Sequence, residues 1–185
     1  MIKRLLTVLL FLSGAFLAGA QKRFSVGTDV IRIMELGTIN AEASIAVSQH
    51  FSVYAGGAVN PWTFNKGDAD RQMENRNYCF WAGARWWPWH VYSGWWAGAD
   101  GKYMCYNRGG IFKRQTEEGD AYGGSLRAGY SIMLSETWNL DISAGAWAGW
   151  KKYTTYSCPL CGRIEDKGSK AFIVPDARII VQLIF

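Results

Sequence analysis

The chain has 185 residues, 49% of them hydrophobic, with 20 basic and 15 acidic side chains and a formal net charge of +5. This length suits one domain, and the small positive charge gives no support for a nucleic-acid partner. No apolar run after residue 20 reaches about 18 residues, which excludes a helical membrane protein. The 10 Trp, 9 Tyr, 9 Phe and 21 Gly, with 4 Pro, favour strands.

The N-terminal segment has the three parts of a secretory signal peptide. Lys3 and Arg4 form a charged start, residues 5–17 an apolar run, and residues 18–20 a cleavage site of small residues. We therefore expect a cleaved signal over residues 1–20, and one exported domain over residues 21–185.

The C-terminal segment, 171–185, alternates with a period of two. Every second residue from Phe185 back to Ile173 is apolar, whereas the other face includes Gln182, Arg178 and Asp176. A long alternating final strand that ends on an aromatic residue is typical of outer-membrane β-barrels.

Seven earlier segments alternate in the same way. The predicted strands are 24–34, 38–47, 51–60, 77–87, 94–104, 120–133, 137–151 and 171–185. After a tight first link the connections alternate short and long, which indicates short periplasmic turns and longer extracellular loops at 64–76, 105–119 and 152–170. We predict an all-β fold, a monomeric eight-stranded antiparallel up-and-down transmembrane β-barrel, in the outer membrane of a Gram-negative bacterium.

Charged residues of both signs are predicted to point into the barrel. They are Asp29, Glu42, Arg85, Asp100, Lys102, Arg127, Asp141, Asp176 and Arg178. A proton or ion path is one interpretation of such a set. An eight-stranded barrel has room for little more than side chains, so a lumen filled by ion pairs is favoured.

Aromatic residues cluster at the two ends of the predicted strands. Trp and Tyr settle at membrane interfaces, so these clusters predict two belts. The lower belt comprises Phe51, Trp86, Trp87, Trp89, Trp95, Trp96, Trp138 and Phe185, and the upper belt comprises Trp62, Tyr78, Tyr103, Tyr122 and Trp150.

The two histidines argue against catalysis at the outer leaflet. His50 and His90 both fall in predicted periplasmic turns, far from where a lipid-modifying Ser–His or carboxylate–His pair has to act. We therefore predict no enzymatic activity, no cofactor and no metal. The alternatives are a soluble periplasmic β-protein, or an outer-leaflet lipid- or glycan-modifying enzyme that uses loop carboxylates. Those carboxylates are Asp68, Asp70, Glu117, Glu118, Glu165 and Asp166.

All four cysteines fall toward the predicted extracellular rim. Cys158 and Cys161 form a C-x-x-C motif, which is compatible with a disulfide, redox chemistry or a metal site. Export favours a structural disulfide, with free thiols and a metal site as alternatives. Cys79 and Cys105, near the joined ends of adjacent strands, are candidates for a second bridge.

Several short motifs carry a resemblance to a known family. They are 59–64 (VNPWTF), 84–87 (ARWW), 138–140 (WNL), 156–162 (YSCPLCG) and the final strand. On them the chain resembles a family of small outer-membrane barrels of Gram-negative gut and oral bacteria, catalogued as a domain of unknown function. The resemblance covers nearly all of the mature chain, and the Asn-Pro-Trp-Thr-Phe and Cys-x-x-Cys-Gly segments are its most specific parts. The first strand departs from it, because it lacks the usual Thr-Asn-Leu-Leu-Tyr-like run.

The resemblance also implies partners. Members often lie beside genes for surface fimbriae, so it implies a role in surface assembly or adhesion, with a surface or fimbrial protein as partner, and no enzymatic activity. The expected barrel implies two more partners, outer-membrane lipid and the barrel-assembly machinery.

Overall fold

The structure is a computed structural model that describes residues 22–68, 71–111, 114–160 and 162–185. The predicted signal peptide therefore lies outside the described residues. In chain order the elements are β1 (Phe24–Asp29), α1 (Val30–Met34), β2 (Ile39–Ala46), β3 (Phe51–Asn60), β4 (Thr63–Phe64), β5 (Met73–Trp86), β6 (Gly94–Gly109), β7 (Thr116–Met133), β8 (Trp138–Tyr156) and β9 (Ile164–Ile184). No helix within the described ranges is long and apolar enough to cross a membrane.

Eight of these strands form one closed ring of hydrogen-bonded neighbours. From β5 to β9 each strand pairs with the next, β9 pairs with β1, and β1, β2 and β3 follow in order. The pairing of β3 with β5, from Phe51↔Trp86 to Asn60↔Asn77, closes the ring. The two-residue β4 lies outside the ring and pairs with the start of β5. All of these pairings are antiparallel, so the predicted all-β antiparallel fold is confirmed.

Both ends of the described chain meet at one end of the ring, which we call the lower end. The backbone N–H of Phe24 donates to the carbonyl oxygen of Phe185 at 2.9 Å, and the N–H of Phe185 donates back to Phe24. The connections 47–50, 87–93 and 134–137 also lie at the lower end. An even number of ring strands brings the first and last strands together there, as the alternating link lengths predict.

The first predicted strand, 24–34, is wrong in its second half, which forms helix α1. Asp29 causes the change, because its Oδ1 accepts a hydrogen bond from the N–H of Ile31 at 3.0 Å and caps the helix. The same oxygen accepts the N–H of Ile179 at 3.3 Å, on the strand that β1 would otherwise continue to pair with. One carboxylate therefore ends the β1–β9 ladder and begins the helix.

Strands continue into all three polar segments predicted as extracellular loops, so the loop prediction is wrong at residue 64 and over residues 73–76, 105–109, 116–119, 152–156 and 164–170. Strands β5 to β9 run on past the upper ends of β2 and β3, and they form an open five-stranded sheet above the ring. We call this sheet the extension, and it comprises residues 73–76, 105–109, 116–121, 151–156 and 164–170.

Side chains in the ring alternate between a polar interior and an apolar outer face. On β7, for example, Ser125 and Arg127 are buried while Leu126 is 72% exposed. Large aromatic side chains also fill the interior, with Trp87 and Trp96 packed at the lower end and Trp147 near the upper end. Placing Trp87 and Trp96 in an outward belt is therefore wrong. Both are less than 3% exposed.

Glycines in the strands make room for these large interior side chains. A Cβ atom at Gly56 would lie 2.5 Å from Cζ2 of Trp81, whose indole crosses the interior from β5. Since atoms this close overlap, the indole could keep its place only if the backbone moved.

We expect Gly56→Ala to destabilise the protein by about 1–3 kcal/mol, the usual cost of overpacking a filled interior. Gly101→Ala is the matched control, since a Cβ there meets nothing within 4 Å. Thermal unfolding of the purified proteins, followed by tryptophan fluorescence, measures the difference. Equal unfolding midpoints for the two variants would contradict the tight contact between β3 and Trp81.

Candidate functional site

The nine charged residues predicted to point inward all lie in the interior of the ring. Each is at most 9% exposed. They come from β1, β2, β5, β6, β7, β8 and β9, so the interior network joins almost the whole circumference. Isolated charges are very costly in such a setting, and their partners therefore determine what the interior can do.

Arg178 links two carboxylates across the interior. Its Nη1 lies 3.3 Å from Oε2 of Glu42, and its Nη2 lies 3.2 Å from Oδ2 of Asp176. Glu42 also pairs with Arg85, and Asp176 pairs with Nζ of Lys102 at 2.6 Å. Five residues from four strands thus form one continuous chain of ion pairs.

A second group surrounds Asp100. Its carboxylate pairs with Arg127 and accepts hydrogen bonds from Oγ of Ser125 at 2.5 Å and from the hydroxyl of Tyr54 at 2.8 Å. Asp141 lies nearby and accepts the indole N–H of Trp96 at 2.8 Å. The guanidinium of Arg85 stacks on both Tyr54 and Trp96, at 4.2 and 4.6 Å from the aromatic centroids, which connects the two groups.

Helix α1 adds a tenth charge that the sequence analysis missed. Arg32 pairs with Asp29 at 3.6 Å, and its guanidinium lies 4.9 Å from the centroid of Trp81. Arg178 lies 4.8 Å from the same indole. Adding Arg32 gives five acidic and five basic side chains, so the network is formally neutral. Nothing in the sequence indicated this role, because Arg32 is a single arginine in a segment that alternates like a strand.

The interior is therefore an arrangement of mutually neutralised charges and stacked aromatic residues. Its carboxylates are held by arginine, lysine, tyrosine, tryptophan and serine donors. The histidines lie elsewhere, in lower-end connections, where Nδ1 of His50 is 3.0 Å from the carbonyl oxygen of Trp87. No group of three His, Cys, Asp or Glu residues in the described part of the chain is placed to hold a metal ion.

The five described carboxylates of the alternative enzyme hypothesis do not converge on one site. Glu117 and Glu118 are neighbours on β7 and so point to opposite faces of the extension. Glu165 accepts a hydrogen bond from Gln115 at 2.5 Å, and Asp166 accepts one from Tyr153 at 2.9 Å. Asp68 lies in the connection before β5, and Asp70 lies outside the described residues.

Tyrosine–carboxylate hydrogen bonds hold the strands of the extension together. Tyr106 and Tyr156 donate to Glu117 and Glu118 at 2.7 and 2.6 Å. The bond to Glu118 raises the pKa of Tyr156, because a proton shared with a carboxylate is harder to remove. These bonds cross from β6 to β7 and from β8 to β7. The extension is therefore a cross-linked sheet and not a set of separate loops.

A groove of about 840 Å³ lies on the outer face of the extension and reaches down to Tyr78 at the upper edge of the ring. Polar side chains from five strands line it in two rows that follow the strand register. The first row is Tyr78, Cys105, Asp120, Lys152 and Ser169, and the second is Arg76, Asn107, Glu118, Thr154 and Lys167. This groove combines concave shape, hydrogen-bonding groups and exposed charge, which are the properties of a binding surface.

The proposed second disulfide is wrong, because Cys79 and Cys105 lie on opposite faces of the sheet. Cys79 faces the interior and is fully buried, while Cys105 faces outward, and both are free thiols. In the ladder between β5 and β6, Cys105 is paired with Tyr78 and Cys79 with Met104. Cys158 is disulfide-bonded, and Cys161 lies outside the described residues.

Thiol labelling tests this distribution of cysteines. We expect the folded protein to react at Cys105 alone, and the unfolded, unreduced protein at Cys79 as well, because burial protects Cys79 only in the fold. Reduction should then add Cys158 and Cys161. Peptide mapping after maleimide treatment identifies the labelled sites. If neither Cys79 nor Cys105 reacts in the unfolded, unreduced protein, the two residues form a disulfide after all. Zinc bound by the C-x-x-C motif would exclude a disulfide between Cys158 and Cys161.

Removing one partner of an interior ion pair tests the network. We expect Arg127→Met to destabilise the protein by about 3–5 kcal/mol, because it leaves the Asp100 charge buried without compensation. Adding Asp100→Asn should recover part of that loss. Arg108→Met is the control on an exposed arginine of the extension. Free energies of unfolding from urea titrations give the comparison, and an equal loss for Arg127→Met and Arg108→Met would contradict a structural role for the pair.

Comparison with other proteins gives the chain a family. No curated protein matches it. Residues 5–185 match a family of proteins of unknown function, a range that includes the whole ring, the extension and the groove. Since nearly all of the sequence matches, the chain belongs to the family described as "Protein of unknown function (DUF3575)".

Proposed function

We propose that the chain is an eight-stranded transmembrane β-barrel of a Gram-negative outer membrane that acts as a structural or surface-interaction protein and not as an enzyme. The observation that carries this proposal is the outer face of the ring. Its outward side chains are uncharged from the lower connections up to the extension, and many are large and exposed. Examples on three neighbouring strands are Leu126, Ile142 and Ile173, which are 72%, 43% and 74% exposed.

Aromatic residues mark both limits of this apolar face. At the upper limit Phe80, Tyr103, Tyr122 and Trp150 stand opposite one another on β5 to β8. The lower limit carries Phe51, Trp86, Trp95, Tyr130, Trp138 and the stacked pair of Phe24 and Phe185. Trp and Tyr prefer the membrane interface, so two such girdles support a bilayer between them.

The spacing of the girdles fits a bilayer. Trp138 and Trp150 lie twelve residues apart on β8, or roughly 40 Å along a strand at about 3.3 Å per residue. With the usual strand tilt of about 40°, this corresponds to roughly 30 Å along the barrel axis. The hydrocarbon core of a bilayer is also about 30 Å thick.

Ring closure supports the same proposal, since a backbone in lipid needs all of its hydrogen bonds made internally. The filled interior argues against an open channel, because ion pairs and indoles occupy the space that water would need. Export through the N-terminal signal and insertion by the barrel-assembly machinery follow from this location. The proposed unit is a monomer, since the ring closes within one chain.

The extension supports the surface-interaction part of the proposal. It projects beyond the upper aromatic girdle, on the side away from the chain termini, and in a barrel with periplasmic termini this side is the cell exterior. Cross-strand hydrogen bonds such as Tyr153 to Asp166 make it a rigid platform. A rigid polar platform loses little entropy on binding. This favours recognition of a surface or fimbrial protein, the partner class that the family resemblance implies.

Membrane fractionation of a charge variant tests the location. We expect the wild-type chain in the outer membrane, released only by detergent. Leu126→Arg should reduce its assembly there, because an arginine near the bilayer midplane costs about 2–4 kcal/mol. Leu160→Arg is the matched control, since Leu160 is 53% exposed beyond β8, outside the proposed membrane.

Two results would contradict the proposal. One is recovery of the wild-type chain as a soluble periplasmic protein. The other is equal assembly of Leu126→Arg and Leu160→Arg, because a face in contact with water would tolerate both arginines.

A further inference from the structure

We infer that the outer groove of the extension binds the phosphorylated headgroup of a glycolipid in the outer leaflet of the surrounding bilayer. This inference rests on the proposed transmembrane location, and it assigns a ligand class to a surface of the same protein. Its basis is a block of four side chains on the outer face of β8 and β9. The block consists of Lys152, Thr154, Lys167 and Ser169.

The strand register brings these four residues together. Lys152 stands opposite Ser169, and Thr154 stands opposite Lys167. Opposed Cβ atoms lie about 5 Å apart, and alternate residues on one strand about 7 Å apart. The block therefore presents two ammonium groups and two hydroxyl groups over an area that one phosphate group can span. Lysine side chains are long enough to converge on a phosphate from adjacent strands.

The two lysines of the block differ from the other described lysines of these strands. Lys151 pairs with Glu117, and Lys170 lies over the phenol of Tyr153, 4.6 Å from its centroid. Both of these point to the opposite face of the sheet. In contrast, Lys152 and Lys167 are exposed and have no ion-pair partner among the described residues. Their charge is therefore available to a ligand.

Two carboxylates line the same groove, on the neighbouring strand β7. Asp120 accepts a hydrogen bond from the hydroxyl of Tyr103 at 2.6 Å, and Glu118 accepts one from Tyr156 at 2.6 Å. Both carboxylates keep their charge, and Asp120 stands opposite Lys152 in the register between β7 and β8. The negative side chains of this part of the groove therefore lie on β7, while the positive ones, Lys152 and Lys167, lie on β8 and β9.

The height of the block determines which anion it meets. Lys152 follows the girdle residue Trp150 by two positions on the same face of β8. In the proposed orientation Trp150 lies at the bilayer interface, so the block lies just above it, at the level of lipid headgroups. Phosphate is the anion concentrated at that level.

The groove is also larger than one phosphate needs. Its volume of about 840 Å³ lies in the range of ligand-sized sites. Tyr78 and Pro61 line it beside hydrogen-bonding groups from Asn107, and this mixture suits a sugar ring with its hydroxyl groups. A phosphorylated sugar headgroup therefore fits the shape and chemistry of the groove better than a simple phosphate ester.

The test is a binding titration on the purified full chain in a neutral detergent. The probe is an acylated, bis-phosphorylated glucosamine disaccharide, compared with its dephosphorylated form and with inorganic phosphate, by native mass spectrometry. We expect the phosphorylated lipid to bind best. Lys152→Gln with Lys167→Gln should weaken it roughly tenfold, because charge-assisted hydrogen bonds are lost. Replacement of both lysines by Arg should retain binding, since the charge and the donors remain.

Lys151→Gln with Lys170→Gln is the matched control. It removes two positive charges from the same two strands, but on the other face, and should leave lipid affinity within about twofold, since neither side chain lines the groove. Each variant is first compared with the wild type for heat-resistant migration in detergent gels, so that a loss of fold is recognised.

Three results would overturn the inference while leaving the membrane location intact. They are equal binding of the dephosphorylated lipid, binding of inorganic phosphate as tight as that of the lipid, and equal loss of affinity in the control variant. A chain that fractionates as a soluble protein would instead refute the proposed function, and the inference with it.

Discussion

Charge neutralisation inside the ring is the constraint on which the rest of the structure depends. Ten charged side chains share a space that eight strands make only wide enough for side chains. Each carboxylate must meet a base or a strong donor, and Arg178 satisfies this condition for Glu42 and Asp176 at once. A buried ion pair gives little net stability, but a broken one is expensive. The network therefore selects one arrangement of strands more than it strengthens that arrangement.

The same constraint explains how the ring closes with a short first strand. Strand β1 ends at Asp29 because its carboxylate caps α1 and accepts the N–H of Ile179. The helix then places the guanidinium of Arg32 4.9 Å from the centroid of Trp81, the indole that Arg178 also contacts. A continued strand would place Arg32 on the outer face, since Asp29 points inward and residue 32 has the opposite parity. The helix thus keeps a charge off the apolar face and supplies the interior with the base it lacks.

The sequence predicted the parts of the fold that obey a simple period. Strand β3 was predicted with its observed bounds. The nine inward charged residues followed from alternation alone, because one face of each strand has to be apolar. The sequence could not predict α1, since five residues are too few to show helical periodicity and Asp29 acts through contacts with a strand 150 residues away. Trp87 and Trp96 were misplaced because a cluster of tryptophans predicts a membrane interface but does not show which of their side chains point into the ring.

The sequence analysis missed the extension for a different reason. High charge usually indicates a loop, and residues 116–120 and 164–170 carry charges on both faces. Here the charges are compatible with strands because tyrosines on neighbouring strands bind the carboxylates, as Tyr156 does for Glu118. Such pairs join residues 11 to 38 positions apart on different strands, so no local pattern reveals them. The groove could not be predicted either, because it is formed by these strands.

The register of the interior also determines the surface of the extension. Strands β8 and β9 run without interruption from the ion pairs of the ring to the block of Lys152, Thr154, Lys167 and Ser169, and the recorded irregularity in their pairing lies beyond it, at Thr155 and Tyr156. A slip of one residue would turn every side chain of a strand to the other face. On β9 it would turn Lys167 away from the groove and Arg178 out of the interior together. The interior charges therefore hold the surface lysines outward, and a change in the ring reaches the groove through the strands that both share.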